Sequence, residues 1–208
     1  MTASPAGTTP LLVLVRHGRT GWNAGGRFQG RADPPLDEVG RDQAEMCGKE
    51  LASLFASAGL DTPQIVSSDL RRAADTAAAL ARAFACPYGT DARLREVDVG
   101  GWEGLTRPEA AARFPDEYRR WSAGEDVRRG GGETLAEAGR RVADRVEEAM
   151  AAGAGGTVIV VGHGMALQAA AGELRSRNAV TFPGEPPHLG NGRWLAVTTP
   201  GAGPPPIA

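Results

Sequence analysis

Three histidines occur in the 208 residues, and two of them, His17 and His163, share one setting. Each follows an apolar run, with one residue between, and each precedes a glycine: LLVLV-Arg16-His17-Gly18 and VIVV-Gly162-His163-Gly164. A neutral imidazole at the end of a buried strand is a nucleophile or proton carrier on a rigid support. The glycines let backbone approach a ligand closely and permit a tight turn. Two structural histidines are the competing reading, and spacing alone does not separate the two.

Arg16 places a cation beside His17. A second basic element is SSDLRRAADTA, residues 67–77. Here Ser68 or Asp69 caps a helix, and Arg71 and Arg72 fall in its first turn. Cations at a helix N-terminus oppose the macrodipole by a few tenths of a kcal/mol unless an anion is near. Arg71 reads as solvated, whereas Arg72 is better explained as aimed at a bound phosphate. A third element, LREVDVGGWEGLT (residues 94–106), holds Glu96, Asp98 and Glu103 among glycines and apolar residues. A carboxyl beside a desolvated pocket can serve as a general acid. The residues alone do not say which of the three it is.

These groups need elements to hold them. Strands are expected at Leu11–Val15, Gln64–Ser67, Thr157–Val161 and Trp194–Thr198, from their short Val-, Ile- and Leu-rich runs. Helices are expected at Asp37–Ala58, Leu70–Ala85, Arg107–Trp121, Leu135–Ala152 and Ala166–Leu174, with a loop over Ser122–Thr134. The alternation predicts an α/β fold: a three-layer α/β/α sandwich around a mostly parallel central sheet. Continuous apolar strands suit a sheet covered on both faces. Ligands in such folds bind beyond the C-terminal strand ends, where strand order switches. Both His17 and His163 land at that edge.

Length and a hydrophobic content of 41% suit a single domain over residues 11–199, with loose segments at 1–10 and 200–208. A formal charge of −2 from 23 basic and 25 acidic residues points to neither nucleic acid nor membrane. The start MTASPAGTTP has no basic region, and the apolar run after it is too short for a signal peptide or a span. Cys47 and Cys86 stand alone, in no CxxC spacing, which suits a reducing, cytoplasmic setting without disulfide or zinc. A Cys-x5-Arg phosphatase loop is absent, since Ser53 and Ala92 stand where its arginine would be. No P-loop or HExxH pattern is present either, so neither metal nor other cofactor is expected.

LVRHGRTGWN, SSDLRRAADTA, LREVDVGGWEG and VVGHG, in that order, resemble the histidine phosphatase superfamily, the phosphoglycerate-mutase-like enzymes. The resemblance runs from about Leu11 to Trp194 and implies that family's fold. It implies that His17 is the nucleophile, that Glu96 is the proton donor and that His163 completes the catalytic set. It makes Arg16, Asn23 and Arg72 phosphate ligands and Gln29 and Gly30, in RFQG, substrate contacts. The implied reaction is metal-independent hydrolysis of a small phosphomonoester, of the sugar phosphate or phosphoglycerate type, through a phosphohistidine. A mutase is the nearest alternative. Family mutases carry an NERxYG form where this chain has LREVDVGGWEG, and a longer segment before the second histidine. A non-catalytic phospholigand-binding member is a further alternative, although it should lack one of these groups.

Within the family, RFQG, SSDLRRAxDTA, the GGE loop and LGNGRW resemble the glucosyl-3-phosphoglycerate phosphatase branch, with alpha-ribazole phosphatase, fructose-2,6-bisphosphatase-like and broad-specificity branches left open. Arg19 departs from the family's usual Glu or Gln; a cation there would favour a second anionic group on the substrate, such as a carboxylate, or would point to solvent. Trp102 is expected in the core and Phe28 at the pocket rim, with Trp22 left between those roles. His188, in a Pro-rich loop, is expected to have no catalytic duty. The partner is a small molecule, and a homodimer is admitted by the sequence.

Overall fold

The computed structural model describes residues 11–153, 155–182 and 188–207. Five strands form one sheet: β1 (Leu11–Arg16), β2 (Gln64–Ser67), β3 (Tyr88–Thr90), β4 (Thr157–Gly162) and β5 (Trp194–Thr198). Their order is β3-β2-β4-β1-β5, with β5 antiparallel to β1 and every other pair parallel. The helices are α1 (Gly21–Ala24), α2 (Glu38–Ala58), α3 (Arg71–Phe84), α4 (Arg107–Arg113), α5 (Pro115–Ser122), α6 (Leu135–Ala152) and α7 (Gly164–Ser176).

The first five residues of β1 are all buried, and its alternate side chains feed two different cores. Leu12 and Leu14 join Val158 and Val160 against α6 and α7. Leu11, Val13 and Val15 join Ile159 and Val161 against α2 and α3. The expected three layers follow from this: period-two geometry sends successive apolar residues to opposite faces, and each face needs a helical cover.

Four differences from expectation have identifiable causes. Strand β3 carries no apolar signal, because its three residues are exposed at the sheet edge. The helix expected over Arg107–Trp121 breaks at Phe114, and Pro115 starts α5, a position where its missing N–H costs nothing. Neither Ser68 nor Asp69 caps α3; Asp69 is bound by Arg95, and the Arg71 N–H donates instead to Asp33 Oδ1 at 2.7 Å. The tail expected to be loose returns to the sheet, with Ile207 buried in the α2–α3 core and Thr198 Oγ1 donating to Gly203 O at 3.0 Å. Its prolines bar regular structure but not apolar packing. The N-terminal segment 1–10 lies outside the described residues.

Candidate active site

Strands β1 and β4 are adjacent, with Arg16 opposite Gly162, so the residues after them emerge side by side. The His17 N–H donates to Gly162 O at 3.0 Å, and the His17 and His163 rings lie 5.1 Å apart, edge to face. His17 Nδ1 donates to Gly18 O at 2.6 Å. A carbonyl only accepts, so the proton sits on Nδ1 and the Nε2 lone pair is free. Burial, then Arg72 and more weakly Arg16, hold the His17 pKa well below 6.5 against the Gly18 bond. This ring is neutral and presents one nucleophilic nitrogen.

His163 is fully buried, and burial followed by Arg72 and His17 likewise lowers its pKa well below 6.5. Its Nε2 meets Ser68 Oγ at 2.9 Å, while Nδ1 has no partner. Ser68 Oγ accepts from the Leu70 N–H at 3.3 Å, so its own hydrogen is available to Nε2. A hydroxyl both gives and accepts, so this contact suits either tautomer, and Nδ1 is a buried nitrogen without a partner.

Arg16 is oriented by the C-terminal segment. Its Nη1 donates to Leu189 O at 2.7 Å and to His188 Nε2 at 3.3 Å. Its Nε is buried and unpartnered. A Cβ at Gly164 would lie 3.1 Å from Arg16 Cζ, so the glycine after His163 makes room for this guanidinium. Arg72 is fully buried and held by Gly30 O at 2.9 Å and Ala32 O at 2.6 Å, which leaves its Nε without a partner. Burial lowers both arginine pKa values, and the Glu96 charge opposes that effect in each.

Of the three acids left open by the sequence, Glu96 is the one on the cavity wall. Its Oε1 accepts from the N–H groups of Val97 and Ala166, both at 2.9 Å, and Oε2 from Met165 at 3.4 Å. The start of α7 therefore grips this carboxylate. Asp98 and Glu103 are occupied in holding loops: Asp98 accepts from the Gly100 N–H, and Glu103 from those of Arg31 and Ala32.

A cavity of about 180 Å³ is lined by Arg16, His17, Asn23, Gln29, Gly30 and Glu96, with Phe28 and His188 also on its wall; Arg72 and His163 are buried and not on that wall. The Thr20 hydroxyl caps α1 by accepting from the Asn23 N–H, and it donates to Gln29 Oε1 at 2.8 Å. Asn23 Oδ1 accepts from the Thr20 N–H and from Asn191 Nδ2. With both amide oxygens occupied, Asn23 and Gln29 have NH2 groups to offer a ligand.

Arg19 requires a correction. Its Nε donates to Asp37 Oδ2 at 2.8 Å, and it is not on the cavity wall. Asp37 is the N-cap of α2, so Arg19 braces that helix start. His188, expected only as a loop residue, lies on the cavity wall beside Arg16. Phe28 lies at the cavity and Trp102 is fully buried, as expected. Sequence reasoning missed Ser68, Asn191 and the buried Arg129. The first two act through contacts across 95 and 174 residues, which no local pattern encodes.

Residues 12–203 match the family model described as histidine phosphatase superfamily (branch 1). The chain is 37% identical over 196 residues to the glucosyl-3-phosphoglycerate phosphatase of Mycolicibacterium vanbaalenii, covering 89% of this chain and 83% of that one. It is 36% identical over 159 residues to phosphoserine phosphatase 1 of Hydrogenobacter thermophilus, covering 76% and 72%. Other curated mycobacterial relatives, at 40% identity, are longer, and the match spans 42% of their length. Among solved structures, a mycobacterial glucosyl-3-phosphoglycerate phosphatase complexed with VO3 superposes with a TM-score of 0.75 at 32% identity, covering 89% of this chain and 90% of that one.

Proposed function

This chain belongs to the histidine phosphatase superfamily (branch 1), and from that membership we propose that it is a metal-independent phosphomonoester hydrolase working through a phosphohistidine at His17. The observation that carries this reading is the state of His17: neutral, protonated on Nδ1, with Nε2 free, in a setting that also holds the unpartnered Nε–H groups of Arg16 and Arg72 and the buried His163 ring. Phosphoryl transfer asks a protein for positioning and for donors around the equatorial oxygens, and these four side chains can supply both.

In the first step Nε2 attacks phosphorus as the ester P–O bond breaks, and Glu96 gives its proton to the departing alkoxide. Glu96 then takes a proton from water as the water oxygen attacks phosphorus. The P–N bond breaks, its electron pair returns to Nε2, and inorganic phosphate leaves. Asn23 and Gln29 offer NH2 groups to the bound phosphomonoester, and the Gly30 carbonyl steadies Arg72.

The substrate we propose is a small phosphorylated metabolite of the sugar phosphate or phosphoglycerate type, met in the cytoplasm. The relatives named for glucosyl-3-phosphoglycerate and phosphoserine support that class. Rapid quenching with a radiolabelled phosphomonoester should trap an acid-labile, base-stable adduct that His17→Ala lacks. A His17→Ala enzyme that turns over at full rate would overturn the mechanism. Counting free phosphate against isomerised product in the same assay separates a hydrolase from a mutase.

A further inference from the structure

Arg129 is the cation that this mechanism leaves unused. It sits in the loop before α6, its side chain is buried, and its Nη2 has no hydrogen-bond partner. Its Nη1 donates only to the thioether of Met165, at 3.3 Å. Other arginines are matched: Arg27 with Glu109, Arg31 and Arg141 with Glu133, and Arg19 with Asp37. Among the described residues no carboxylate lies within ion-pair distance of Arg129. The two nearby acids on its own side are committed to backbone: Glu117 accepts from the Gly130 N–H, and Asp126 from those of Leu135 and Ala136. A wholly buried guanidinium with an unpartnered Nη2 and no carboxylate in contact is unfavourable unless a ligand completes it.

Its location gives the ligand's position. Met165 lines the substrate cavity, and its N–H holds Glu96, so Arg129 stands one flexible side chain behind the cavity wall. Glu96 is also the largest opposing charge felt by Arg129, as it is for Arg16 and Arg72. Asp126 and Glu117 oppose the Arg129 charge more weakly. When Glu96 carries the proton it must donate, the strongest of these opposing charges is removed.

We propose that Arg129 is a specificity-determining residue, reached past the Met165 side chain, that takes a carboxylate carried by the leaving group of the substrate. This rests on the hydrolase reading and deepens it: the preferred substrates are phosphomonoesters with a carboxylate close to the phosphorylated carbon. Methionine suits the intervening position, because its unbranched thioether changes rotamer readily.

The test compares kcat/KM for pairs that differ in the carboxylate: O-phosphoserine against O-phosphoethanolamine, and 3-phosphoglycerate against glycerol 3-phosphate. The wild type prefers the carboxylated member of each pair. Arg129→Met loses that preference by about tenfold or more, while the other member and inhibition by inorganic phosphate change by less than about threefold. Arg129→Lys retains part of the preference. Met165→Phe, which leaves the charge but closes the path, also loses it, and this variant decides the matter if Arg129→Met does not fold. Equal losses on both members of a pair, an unchanged preference in Met165→Phe, or no preference in the wild type would each overturn the proposal. A wild type inactive on every phosphomonoester would instead sink the hydrolase reading itself.

Discussion

At the scale of single residues, function here is a matter of which atoms are already occupied. His17 spends its one proton on Gly18 O, Asn23 and Gln29 spend their amide oxygens on Thr20, and what remains faces the cavity. Glu96 is held the same way, by N–H groups at the start of α7 that a carboxylate accepts and a neutral amide oxygen can also accept. Glu96→Gln should therefore keep its place while losing its proton. With alkyl phosphates, whose leaving groups need protonation, activity should fall by about 10²–10⁴. With p-nitrophenyl phosphate, a good leaving group, the loss in the first step should be much smaller. Steady-state rates on both substrates check this, and equal losses would count against Glu96 as the acid. The sequence narrowed the acid to three residues, and the resemblance picked one. What sets Glu96 apart from the other two, its place on the cavity wall, depends on N–H groups of α7 that lie 70 residues further along the chain.

At the scale of elements, the legible parts were those built from continuous apolar runs or long amphipathic stretches. β1 and β4 announce themselves because both faces of the sheet are covered. β3 does not, since edge exposure removes the pattern, and the α4–α5 break was hidden because both halves are good helix formers. The segment before α6 read only as a loop, yet it carries Arg129 into the interior. The aromatic cluster behind Phe28 depends on a different element, the turn around Trp102. Its ring is fully buried and packs on Phe28 at 5.1 Å, Trp121 at 5.6 Å and Tyr118 at 5.7 Å. Trp102→Ala should cost about 3–5 kcal/mol of stability, measured by denaturant unfolding. Phe28 lines the cavity, so KM should rise as its backing is lost. Trp102→Phe should cost less, because it also removes an indole N–H that has no acceptor.

At the scale of the whole molecule, the same burial that prepares the nucleophile makes the fold sensitive to acid. His17 and His163 both have native pKa values held well below 6.5, by desolvation first and by Arg72 second. In the unfolded chain each imidazole titrates near 6.5. Above that pH both states are neutral and the two groups contribute no slope. As pH falls below about 6.5 the unfolded chain binds protons that the native chain refuses, and stability declines until the native groups titrate. Each refused proton contributes a slope approaching 1.4 kcal/mol per pH unit, so the pair approaches roughly 2.8. The paired carboxylates act in a lower window. Asp91, held at about 2 chiefly by its hydrogen bond from Arg93, loses its contribution only as pH falls below the ordinary carboxylate range. Unfolding free energy measured by urea titration between pH 7 and pH 5 should therefore fall steeply in the wild type. His163→Gln, which can still meet Ser68, should show about half that slope. An unaltered slope in His163→Gln would mean that His163 is charged in the native protein, and it could not then stand neutral beside His17 as a donor for the phosphoryl group.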